Sequence, residues 1–98
     1  MLNNIKITTE QLGFMKHAIG FRNDKVKGRI HRRYNAFRNY FTTSKGSSNL
    51  EKLTELSDLK LMRKRVDPWD DEGFVFHVTD FGFEYLQMIL DVSITEED

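Results

Sequence analysis

The sequence predicts a mostly helical α+β domain, built as three N-terminal helices, a β-hairpin and a C-terminal helix. Three observations predict it. Polar capping residues precede apolar residues at helical spacing near positions 8 and 48. Two β-rich runs, 59–66 and 74–78, flank a loop dense in turn residues. Thr79 then opens a last helically spaced apolar set. The 98 residues suit one domain, 1–98, with a modest core. Residues 1–7 and 93–98 are expected to be flexible ends.

The first helix starts at Thr8-Thr9-Glu10-Gln11, where the Thr8 hydroxyl can cap a backbone N–H and Gln11 can reach back, the reciprocal pattern of a capping box. Leu12, Met15, Ala18 and Ile19 recur at helical spacing, and Gly20 is a fitting stop. Phe21-Arg22-Asn23-Asp24 suggests a turn. The segment 25–38 carries six Lys/Arg and no acid. Within it and just beyond, Ile30, Tyr34, Phe37 and Phe41 fall on one helical stripe, which predicts a second helix over 29–41.

A polar loop follows, and Ser48 with Glu51 reads as another capping box. The third helix, 49–57, is expected to bury Leu50, Leu53 and Leu56, with Ser57-Asp58 ending it. The runs 59–66 and 74–78 then pair as a hairpin across the acidic loop 67–73. Thr79 caps the last helix, which runs to about residue 91 with Phe83, Leu86 and Leu90 along one face.

Formal net charge is zero, but the charge is unevenly placed. Residues 1–48 hold ten Lys/Arg and two acids, a net of +8, and residues 49–98 hold five Lys/Arg and thirteen acids, a net of −8. Two arrangements fit this split: a basic contact surface, or two halves that pack together and neutralise each other.

The same residues exclude several chemistries. Without cysteine there is no disulfide, thiolate nucleophile or thiolate metal site, and a reducing compartment suits the chain. His17, His31 and His77 lack metal-ligand spacing. Asp70-Asp71-Glu72 reads as a solvated loop tip rather than a Mg²⁺ site. No nucleophile–base constellation appears, so the expectation is a non-enzymatic binding protein that needs no cofactor. No run reaches the roughly 18 apolar residues of a membrane helix, so no membrane contact is expected.

The order helix, helix, helix, hairpin, helix resembles the winged-helix plan. So does the pattern Leu50, Leu53, Leu56, Leu59, Leu61, Met62 and Arg65, followed by an acidic turn and then Phe76-His77-Val78-Thr79 with Gly82 and Leu86. The chain also resembles a group of small phage-encoded proteins of unknown function. That likeness rests on His17-Ala18-Ile19-Gly20, Phe37-Arg38-Asn39-Tyr40-Phe41 and His77-Val78-Thr79-Asp80-Phe81-Gly82. It departs from the group in a longer basic segment between Gly20 and Phe37 and in Ser57-Asp58, where the group has a glycine. The resemblance implies a small regulatory protein acting in a host cytoplasm, with no assigned activity.

In a winged helix, the helix before the hairpin enters the major groove. Here it bears Glu51, Glu55 and Asp58, which repel phosphate. The nucleic-acid candidates are therefore Arg22, Lys25, Lys27, Arg29, Arg32, Arg33, Arg38 and Lys45, with aromatics interleaved and Tyr40 off the stripe. The alternative partner is a host or phage protein, docked on Trp69 and the acidic residues Asp70, Asp71 and Glu72. A homodimer through the first or last helix is a further option.

Overall fold

The structure is a computed structural model that describes residues 5–96. Its elements run α1 (Thr9–Ala18), a 3₁₀ turn (Asn23–Lys25), β1 (Arg33–Ala36), β2 (Phe41–Ser44), α2 (Leu50–Asp58), β3 (Met62–Val66), β4 (Gly73–Val78), α3 (Asp80–Leu90) and β5 (Ser93–Glu96). Two helices, not three, precede the hairpin, and the chain is not mostly helical. The winged-helix arrangement is overturned by the segment 29–41, which forms no helix.

That segment supplies β1 and the approach to β2. Of the expected stripe, Tyr34 is buried and Phe41 half-buried, but Ile30 is 87% exposed and Phe37 57% exposed. The chain follows period two here: Tyr34 and Ala36 face inward while Arg33 and Asn35 face out. Strand formation wins because partners far along the sequence supply the pairing. β5 pairs parallel to β1, with Tyr34 opposite Ile94, and β2 pairs antiparallel to β4, with Phe41 opposite Phe76. A short strand draws its stability from such neighbours, which local spacing does not display.

The predicted hairpin is present: β3 pairs antiparallel to β4, with Met62 opposite Val78 and Arg65 opposite Val75. β2 adds to its other edge, so the sheet order is β2-β4-β3. Opposite residues of an antiparallel pair point to the same side. One face therefore carries Phe76, Val78 and Met62, all buried, with Phe41 and Phe74 half-buried beside them. α1 packs on the β2 and β4 side of the sheet and against α2, while α3 follows β4. Met15, Ile19, Leu53, Leu56, Leu61 and Leu86 fill the space between and are fully buried. The other face carries Thr42, Arg63 and Arg65, all exposed, with Val75 and His77 half-buried.

The capping at Thr8 is as expected: its side chain accepts from the Gln11 N–H, and the Gln11 side chain accepts from the Thr8 N–H, both at 3.0 Å. The expected box at Ser48 and Glu51 does not form. Asn49 holds the N-cap position of α2 without a side-chain bond to the helix. Its Oδ1 instead accepts from the hydroxyls of Thr43 and Ser47, each at 2.6 Å. The chain ends are more anchored than expected. Ile5 and Ile7 rest against the core, and residues 93–96 form β5 rather than a frayed tail. The rest of the expected flexible ends, 1–4 and 97–98, lies outside the described residues.

Thr79 joins the hairpin to α3. Its hydroxyl accepts from the Gly82 N–H at 2.9 Å and donates to the Lys60 carbonyl at 2.6 Å. Thr79→Ala removes both bonds and should lower stability by about 1–2 kcal/mol. Thr79→Ser should keep most of it. Urea midpoints compared at equal m-values check this.

Candidate functional site

The basic segment is shaped by a short backbone ladder. Lys27 and Arg33 exchange backbone hydrogen bonds, N–H to O in each direction, at 2.9 Å. They pinch off the loop between them, which Gly28 enters at φ +90°, a left-handed geometry that suits glycine. A Cβ at Gly28 would also stand 2.5 Å from the His31 carbonyl oxygen. The ladder brings the Lys27 and Arg33 side chains to one place. The 3₁₀ turn brings Arg22 and Lys25 to the same place.

These four cations line a cleft of about 470 Å³ with Tyr34, Asn35 and Phe37. Asp24 pairs with Arg22 at 3.3 Å where both side chains are largely exposed. The Tyr34 hydroxyl donates to the Gly20 carbonyl at 2.5 Å, and its ring packs on Phe21 with centroids 4.9 Å apart. The cleft floor is thereby fixed to the end of α1.

Burial pushes the Tyr34 phenol above its ordinary value of 10.0, and Arg22 and Arg38 oppose the shift. A raised value means the folded state holds this proton more tightly. The corresponding stability is present below pH 10.0 and is lost as pH rises through the folded-state value. Alkaline unfolding should therefore be shallower in Tyr34→Phe than in the wild type. Stability measured from pH 8 to about 11 checks this.

The other predicted cations are placed elsewhere. Arg29 is exposed on the pinched loop. Arg32 donates to the Leu90 carbonyl at 3.4 Å, tying the loop to the end of α3. Arg38 donates to the His17 carbonyl at 2.7 Å and lies 5.7 Å from the ring centroids of both Phe37 and Tyr40. It acts as a spacer between two aromatic rings and is not on the cleft. Lys45 follows β2 beside the acidic turn, where its N–H donates to the Glu72 carbonyl at 2.8 Å.

The two halves do not neutralise each other through ion pairs among the described residues. The pairs present are Arg22 with Asp24, both from the basic half, and Lys52 with Glu10, in which the acid comes from the basic half. Among the described residues no cation of the first half is in an ion pair with an acid of the second.

The alternative site is rearranged by its own turn. The Asp67 carboxylate accepts from the Trp69 N–H at 2.9 Å, and Asp70 accepts from the Glu72 N–H at 3.0 Å. These two acids build the turn, while Asp71 and Glu72 face solvent. Trp69 is 93% exposed. It stands beside the open sheet face, not among the acids alone: a groove of about 320 Å³ runs between it, Tyr40, Arg65, Val75 and His77.

Sequence reasoning missed Phe37 as a surface ring and did not place Arg63, Arg65 and His77 on one face. The period-two burial of Tyr34 and Ala36 is the signal that would have turned Phe37 outward. The register that aligns Arg63 with His77 has no local signal. Among the described residues, no group of three or more His, Asp or Glu side chains gathers where a metal ion could sit. Among them, too, no helix is long and apolar enough to cross a membrane. The chain matches no protein-family model, no curated protein and no solved structure.

Proposed function

We propose that this protein is a non-enzymatic, phage-type regulatory binding protein that holds nucleic acid through its basic N-terminal face. One observation carries the reading: Arg22, Lys25, Lys27 and Arg33 converge on a single cleft although they span twelve positions of sequence and two local structures. Cations left to mutual repulsion spread apart, and a fold that gathers them favours a polyanion by releasing its condensed counterions. Asn35 adds hydrogen-bonding capacity and Phe37 an exposed ring at the rim. The cleft replaces the helix-in-groove mode, since the acidic α2 would repel a phosphate backbone.

The test is equilibrium binding of labelled single- and double-stranded oligonucleotides across a salt series. The expected result is a steep linear fall of log K with log salt concentration, with a slope of roughly −0.9 for each phosphate held on a duplex or −0.7 on a single strand. Absence of binding at low salt, or a salt-independent affinity, overturns the reading.

A further inference from the structure

We infer that the open face of the β2-β4-β3 sheet is a base-stacking platform, so that the nucleic acid bound is single-stranded. The inference rests on the nucleic-acid reading above but uses different residues. Register places Arg63 beside His77, and Arg65 beside Val75 and Thr42, all on the same side. Among the described residues neither Arg63 nor Arg65 lies within ion-pair distance of a carboxylate. The third basic residue of this strand, Lys64, points to the opposite side, with its ammonium 4.4 Å from the Phe74 ring centroid. The face therefore carries two guanidinium groups outside ion-pair distance of any carboxylate among the described residues.

Two aromatic rings stand at the Arg65 end of this face. Trp69 is 93% exposed and Tyr40 50% exposed, and both line the groove that contains Arg65 and His77. An indole left in water costs solvation free energy unless something covers it. The Asp67 carboxylate accepts from the Trp69 backbone N–H, which fixes where the side chain leaves the turn and leaves the ring itself free to turn onto a base. His77 is oriented as well, with Nδ1 2.6 Å from the Asn39 carbonyl oxygen. Aromatic faces beside unpaired arginines on an open sheet suit bases on the rings and phosphates on the guanidinium groups.

Charge selects single strands over the duplex. Asp67 and Asp80 stand at opposite ends of the face, and Asp70, Asp71 and Glu72 lie beyond Trp69. One flexible backbone can follow Arg63 and Arg65 between these acids. A duplex carries two rigid backbones past them, and its bases are already stacked. The face also continues towards the basic cleft: Tyr40 contacts Arg38, which contacts the Phe37 ring at the cleft rim. A strand can run from the cleft across this stack onto the sheet.

Trp69 is the only tryptophan, so its emission reports the site directly. The full chain is titrated at low salt with an oligothymidylate of about 12 nucleotides, within the span small single-strand-binding domains cover, and with a duplex of equal length. Single strands should quench the emission and bind more tightly than the duplex. By anisotropy, Trp69→Ala and Tyr40→Ala should each weaken single-strand binding roughly five- to hundredfold, with Trp69→Phe retaining most of it. Arg63→Ala/Arg65→Ala should weaken it and flatten its salt slope. Both rings are exposed, so unchanged thermal melts will show that the variants fold.

Duplex and single strand bound equally, with Trp69 emission unchanged, would overturn the platform and leave the cleft reading standing. Single-strand quenching that is indifferent to cleft substitutions would overturn the cleft and leave the platform. Single-strand affinity unchanged in Trp69→Ala and Tyr40→Ala overturns the platform and returns the exposed indole to a protein partner.

Discussion

Gly82→Ala should destabilise the protein by about 2–3 kcal/mol. A Cβ at this position would stand 2.1 Å from the Leu61 carbonyl oxygen and 2.8 Å from a Val78 methyl. The nearest obstacle is backbone, so no side-chain rotation relieves it. The Leu61 carbonyl also accepts from the Thr79 N–H at 3.1 Å. Moving it therefore strains the junction where β3 begins and α3 starts. Alanine is a better helix former than glycine by about 1 kcal/mol, so the steric cost must exceed the net effect by that amount. For a domain of this size the melting temperature should fall by roughly 10–20 °C.

Gly13→Ala is the matched control. Gly13 lies within α1 with nothing inside 4 Å of its would-be Cβ. There the same substitution should stabilise by about 0.5–1 kcal/mol. Thermal melts of the two variants side by side check the pair. A Gly82→Ala protein as stable as the wild type would mean that α3 does not approach Leu61 this closely.

The second large effect is on binding. Lys25→Ala/Lys27→Ala/Arg33→Ala removes three of the four cleft cations while leaving the backbone bonds between residues 27 and 33 in place. All three side chains are exposed, so the change in stability should stay within about 0.5 kcal/mol. If each cation holds one phosphate, the salt slope should become shallower by roughly two to three units. The loss should be similar for all base sequences, because phosphate contacts carry no sequence information. Arg29→Ala or Lys45→Ala should do less, since neither side chain lines the cleft. An unaltered slope in the triple variant would show that the cleft does not hold the backbone.

Legibility in the sequence followed the range of the forces involved. The capping box at Thr8 and Gln11, the leucine spacing of α2, and the turn between β3 and β4 were all readable because each is decided within a few residues. Thr79 and Gly82 were readable together, as a cap and a close approach three residues apart. The failure at 29–41 has the opposite origin. Ile30, Tyr34, Phe37 and Phe41 satisfy a helical stripe, while Tyr34 and Ala36 equally satisfy a strand. Local spacing offers no way to choose. Ile94 and Phe76, far along the chain, choose the strand by pairing opposite Tyr34 and Phe41.

The candidate site divides in the same way. Which residues are basic, and that they crowd the first half, is composition and could be read directly. Which of them converge is geometry. The bridge between Lys27 and Arg33, the turn at residues 23–25 and the pinched loop at Gly28 select Arg22, Lys25, Lys27 and Arg33. Arg32 and Arg38 are drawn away to backbone carbonyls.

Capping at Thr8 and Thr79, the hairpin turn and the uneven charge could therefore be read from the residues alone, since each is settled without a distant partner, whereas the box expected at Ser48 lost to Asn49 bonding with Thr43 and Ser47. Long-range contacts settled that the basic segment forms β1, that Arg22, Lys25, Lys27 and Arg33 share a cleft, and that Trp69 stands exposed beside Tyr40 and Arg65. Those outcomes depend on strand register and on which carbonyls lie within reach, and both arise only when distant residues meet.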